Sequence, residues 1–98
     1  MFIYIISDGD SVKIGISKTP EKRLKQLQTG HPKKLTLCNV REVPETRALK
    51  LERIIHRSCG HRRLKGEWFN MPLPLAEATV NDILMRTEEL KNLDNYLF

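Results

Sequence analysis

Two short apolar runs separated by a turn open the chain, and no other feature limits the possible folds as strongly. Phe2 to Ile6 is dense in β-branched and aromatic residues, the composition of a buried strand. Val12 to Ile16 is a second such run, in which Lys13 stands between apolar neighbours. Asp8-Gly9-Asp10 between them is turn chemistry, because Asp and Gly tolerate positive φ. The spacing predicts a β-hairpin. A helix must follow almost at once, with Thr19 as N-cap, Pro20 at the first helical position and Glu21 in the first turn. Leu24 and Leu27, three apart, set the face that packs on the sheet, and Gly30 with Pro32 ends the helix.

The rest of the chain reads as one strand and two helices. Leu35 to Val43 alternates apolar and polar residues and predicts a third strand, with Leu35, Leu37, Cys38, Val40 and Val43 as burial candidates. Pro44-Glu45 opens a helix to about Arg57 that carries Ala48, Leu51, Ile54 and Ile55 at core spacing. Cys59 to Gly66 is a basic loop, and Glu67 to Asn70 a short extended segment closed by Pro72 and Pro74. From Leu75 to about Leu93 the pattern is helical again, with Val80, Ile83, Leu84, Leu90 and Leu93 on one side. The predicted fold class is α+β: a small, mainly antiparallel three-stranded sheet flanked by helices in the order β-β-α-β-α-α. The last helix either covers the remaining apolar face of the sheet or mediates a homodimer.

At 98 residues the chain suits one domain, residues 1–98. Nothing in it approaches the roughly 20 apolar residues of a membrane span, and the N-terminus lacks the basic region of a secretory signal. Cys38 and Cys59 are too few for a disulfide framework, so reduced thiols and a cytoplasmic location are expected. His56, Cys59 and His61 lie close in sequence but match no common closed zinc spacing. Charge is unevenly spread. Residues 1–66 hold 15 Lys and Arg against 6 Asp and Glu, whereas residues 67–98 hold 2 against 6. That asymmetry favours a polyanion-facing body followed by an acidic element.

Tyr4, Lys13, Arg23 and Glu67 each have an ordinary structural explanation when taken alone: a packed ring, two solvated cations and a loop carboxylate. The predicted topology changes their weight. Tyr4 and Lys13 fall on neighbouring strands of one hairpin, and Arg23 flanks the inward stripe of the helix that follows. A tyrosine near two cations has its phenolate stabilised, an arginine grips phosphate bidentately, and a carboxylate from a later segment can hold a divalent metal. Those are the parts that phosphodiester hydrolysis requires.

The same residues carry a family likeness. Ile3-Tyr4-Ile5 and Lys13-Ile14-Gly15, then Arg23 in PEKRLKQLQTG, His56 in LERIIHR and Glu67 in LKGEWF, form an ordered set over about residues 2–70. In this the chain resembles the GIY-YIG nuclease superfamily, and most closely its small phage- and bacteria-associated subgroup named for a meiotically up-regulated gene. Phe2 replaces the first signature glycine, Lys13 the second signature tyrosine, and Leu27 stands where many members have a histidine. The resemblance implies cleavage of DNA with one magnesium or manganese ion held by Glu67. It makes Tyr4 the general base or the group that positions water, with its pKa lowered by Lys13, and Arg23 the stabiliser of phosphate charge. His56 either supplies a further polar group, oriented by Glu52, or anchors its helix. Lys18, Lys22, Lys25, Lys33, Lys34, Arg62, Arg63 and Lys65 are candidates for flanking phosphates. Trp68 and Phe69 read as core sooner than as base-stacking platforms. The alternative to an enzyme is a nucleic-acid-binding module that keeps the fold without the chemistry.

Overall fold

The computed structural model describes residues 1–97, with side chains through residue 88. The hairpin forms as the sequence predicts: β1 (Phe2–Ser7) and β2 (Val12–Ser17) pair antiparallel, with Tyr4 opposite Gly15 and Ile6 opposite Lys13. Asp8 ties the turn between them. Its Oδ1 accepts the N–H groups of Asp10 at 2.9 Å and Ser11 at 2.7 Å, and its Oδ2 accepts the Ser11 hydroxyl at 2.8 Å. Partial burial pushes the Asp8 carboxyl up, but these donors outweigh it and hold the pKa below the usual value. Gly9 supplies the positive φ of +99° that the turn needs.

Helix α1 (Pro20–Gln28) begins on Pro20, which is buried at the first helical position. Thr19 makes no side-chain cap, contrary to the expectation; its N–H is instead taken by Ser17 Oγ at 3.0 Å. Strand β3 (Thr36–Glu42) lies on the far side of β1, with a register irregularity between Ile5 and Ile6. Val40, expected inside, is 40% exposed on this edge strand. Helix α2 (Glu45–Ser58) buries Ala48, Leu51 and Ile55, as its periodicity requires.

The sheet has four strands, not the three predicted. Trp68–Phe69 forms β4, which pairs antiparallel with Lys13 and Val12 of β2, so the strand order is β3-β1-β2-β4. Its return is a tight hairpin with Gly66 at φ +60°, closed by bonds from Leu64 N–H to the Trp68 carbonyl at 2.9 Å and Asn70 N–H to the Arg62 carbonyl at 2.7 Å. A two-residue strand is below the length at which alternation can be read, which is why the sequence showed it only as extended.

The two faces of the sheet bury different residues, as strand alternation demands. Ile3, Ile5, Val12, Ile14 and Phe69 face α2 and α3 (Leu73–Leu97), whose Ala76, Val80 and Ile83 join the same core. Tyr4, Ile6 and Leu35 face α1, where Leu24, Leu27 and Trp68 pack on them. The inward stripe of α3 is therefore spent on the chain's own core and gives no support to a homodimer. Leu90 and Leu93, expected to extend that stripe, lie outside the described side chains. No described helix is long and apolar enough to cross a membrane. Phe69 is fully buried and holds β4 to the core. Phe69→Ala should cost about 3–5 kcal/mol in urea denaturation, because a large ring is lost from a site with little room to collapse.

Candidate active site

Gly15 is the floor of the site. A Cβ built there would lie 2.5 Å from the Tyr4 hydroxyl oxygen, 2.7 Å from its Cζ and 3.2 Å from Glu67 Oε2. Any side chain would collide with a ring that is 1% exposed and has nowhere to move. Register explains the contact. Tyr4 stands directly opposite Gly15, and its ring crosses the space a residue with a side chain would occupy. In the sequence Gly15 belongs to the Lys13-Ile14-Gly15 motif, but only the strand pairing shows that its missing side chain makes room for Tyr4.

The carboxylate arrives on β4. Ile14 N–H bonds the Glu67 carbonyl at 3.3 Å, and pairing of Trp68 with Lys13 brings Glu67 alongside Gly15. Its Oε2 is 3.2 Å from Lys13 Nζ; the Lys13 side chain is 9% exposed and that of Glu67 38%. The ammonium also sits 5.8 Å from the centre of the Trp68 ring, a cation–π distance. Lys13 is thus engaged by Glu67 and Trp68. It does not depress the Tyr4 pKa as expected. Burial raises that pKa above the usual phenol value, and the Arg23 hydrogen bond and charge draw it back only in part, against the Glu67 and Glu52 carboxylates. Arg23, exposed on α1, comes close enough to hydrogen-bond the Tyr4 side chain.

His56 goes to the sheet edge. Its Nε2 donates to the Ile14 carbonyl at 2.7 Å, and its ring meets Phe69 at 5.3 Å. One turn earlier, Glu52 accepts the Ile16 N–H and lies within charge range of His56. Burial raises the Glu52 pKa, the Glu67 charge raises it further, and His56, the Ile16 N–H and Lys13 oppose them. These two side chains bind the edge of β2 where β4 has stopped, one on each side of Gly15. That favours the anchoring role for His56. The i, i+4 spacing of Glu52 and His56 was visible in the sequence; the unpaired backbone groups they serve were not.

The remaining candidates are scattered. Lys22 and Lys25 are exposed beside Arg23 on α1. Lys18 is 3.1 Å from Glu45, and Lys33 pairs with Asp10 across the hairpin turn. Lys34, Arg63 and Lys65 are exposed and Arg62 half-buried. Trp68 stacks on His31 at 5.5 Å, so it belongs to the wall of the site as well as to packing, whereas Phe69 is core. Cys38 and Cys59 are both free.

A family model for the T5orf172 domain matches residues 1–87. The chain belongs to that family. T5orf172 domains are associated with nucleases, which accords with a nuclease-like or DNA-binding role. No curated protein and no solved structure matched the chain.

The T5orf172 chain needs glycine at position 15 for geometry, not for backbone freedom, since its φ is not in the left-handed region. Gly15→Ala should therefore displace the Tyr4 ring and cost about 1–3 kcal/mol of stability by overpacking, read by thermal melting.

Proposed function

We propose that this chain is a GIY-YIG-type endonuclease that hydrolyses DNA phosphodiester bonds with one divalent metal ion, acting in the cytoplasm. The observation that carries this reading is the convergence of Tyr4, Arg23, Lys13 and Glu67 around Gly15 from three separate parts of the chain. Kinship with the small subgroup named for a meiotically up-regulated gene is part of the same proposal.

The donor set suits magnesium or manganese. Glu67 offers a hard carboxylate oxygen on a side chain 38% exposed. Among the described residues no three His, Cys, Asp or Glu cluster tightly enough to hold a metal by themselves. Magnesium tolerates this, because it keeps several waters and binds through one or two carboxylates plus phosphate; an all-protein zinc site does not. A magnesium or manganese ion bound at Glu67 would supply Lewis-acid stabilisation of charge on the phosphate oxygens.

The chain's own groups divide the rest of the work. Arg23 sits where its guanidinium can grip a phosphate while it hydrogen-bonds the Tyr4 oxygen, so substrate and base share one cation. Tyr4 accepts the proton of the attacking water. Burial raises its pKa above the usual phenol value, so the phenolate is scarce at neutral pH and catalysis should quicken as pH rises. Lys13 orients Glu67 through the 3.2 Å ion pair and balances its charge. Lys22, Lys25 and Lys34 offer phosphate contacts that carry no sequence information. The raised Tyr4 pKa is also the one observation that favours the second reading, a DNA-binding module without catalysis.

Purified protein with magnesium or manganese should nick or cut plasmid or branched DNA. Tyr4→Phe, Arg23→Ala and Glu67→Gln should each lower the rate at least 100-fold, with circular dichroism confirming that they fold. Wild-type protein that binds DNA yet leaves every substrate uncut would support the second reading. The cleavage rate should also climb close to tenfold per pH unit between about pH 6 and 9. A plateau below pH 8 would remove Tyr4 as the base, because a phenol whose pKa is raised cannot complete its titration there.

A further inference from the structure

On the α2 side of the sheet edge, Arg53, His56, Arg57, Gly60 and Arg63 line an open groove of about 500 Å³. That volume is in the range of small-ligand sites and can admit a sugar-phosphate unit. Arg53, His56 and Arg57 share one stripe of α2 at helical spacing, and Arg63 joins them from the loop before β4. No acidic residue lines the groove, and among the described residues none of its three arginines forms an ion pair. In that they differ from Lys18 and Lys33, which are held by Glu45 and Asp10. The Arg63 guanidinium carbon lies 5.5 Å from the centre of the Phe69 ring, a cation–π distance that ties it to the core.

The groove starts beside the candidate active site. His56 lines it and bonds the Ile14 carbonyl, one residue from Gly15. The site opens at the β2–β4 edge, with the cations of α1 on one face of the sheet and this groove on the other. A polyanion lying across that edge meets both. Three arginines suit consecutive phosphates, because each guanidinium presents a planar fork to a phosphate and sheds its hydration more readily than an ammonium. Neither Arg53 nor Arg57 was among the candidates read from the sequence; on a helix of alternating charge they look like a solvated face.

We propose that Arg53, Arg57 and Arg63, in the groove that His56 also lines, form a second phosphate-binding site, which holds the backbone of duplex DNA on the α2 side while Tyr4, Arg23 and Glu67 act from the α1 side. This rests on the DNA reading above and extends it. The groove sets how the duplex is seated across the sheet edge, and it contributes binding without touching the bond that breaks.

The test is binding of a fluorescent 20-base-pair duplex by anisotropy, in chelator so that nothing is cut, across a salt series. Arg53→Gln/Arg57→Gln should weaken binding of any sequence and reduce the slope of log Kd against log salt by about 2, one per lost phosphate contact. The control is Arg47→Gln/Arg86→Gln, which removes the same charge from elsewhere on α2 and from α3. Equal effects of the two pairs would show only a general loss of positive charge and overturn the groove while leaving DNA binding intact. A wild-type chain that binds no duplex would overturn both readings. A second measurement needs no variant. Duplex should shield Arg53 and Arg57, but not Arg86, from arginine-specific labelling read by mass spectrometry. Equal labelling of all three with and without DNA would likewise overturn the groove.

Discussion

The approach of the Tyr4 phenol to Gly15 is the contact on which everything else in this molecule rests. It exists only in one register of the hairpin. A slip of one residue would set Ile14 or Ile16 opposite Tyr4 and turn each strand's core face outward, so fold and site are specified together. The Asp8 turn guards that register with three short hydrogen bonds from its own carboxylate. The glycine then permits what no other residue would: a buried aromatic ring lying flush against the neighbouring strand, with an arginine above and a carboxylate beside it.

Much of this was legible in the sequence, where the information is local. The hairpin, the immediate helix on Pro20 and the inward Leu24 and Leu27 follow from turn chemistry and periodicity. What escaped is what depends on distant pairing. Strand β4 has two residues and no period, so nothing local announced that Trp68 would meet Lys13. Once it does, Glu67 claims the Lys13 ammonium, and the expected lowering of the Tyr4 pKa gives way to burial. The role of His56 was open for the same reason. The 2.7 Å bond to the Ile14 carbonyl depends on where α2 meets the sheet edge, which no local pattern in the sequence announces.

Charge is sorted along the sheet as well as along the chain. Helices α1 and α2, which carry most of the candidate cations, pack on opposite faces of the sheet. The acidic late segment begins beside β3, where Glu77 accepts from Asn39 at 3.4 Å and Asn81 meets Arg41.

The shortness of β4 has a consequence for endurance. Glu67 rides on the least zippered part of the sheet, held by two residue pairs, a tight hairpin and one buried ring. Such segments open locally at a fraction of the global unfolding energy and exchange their amides early. An excursion that lifts β4 from β2 would carry the carboxylate away while the β1–β2–β3 core and its helices stay folded. Warming should therefore silence the site before it melts the protein, and a partner that seats on the edge would do the opposite, stitching the strand down as it binds.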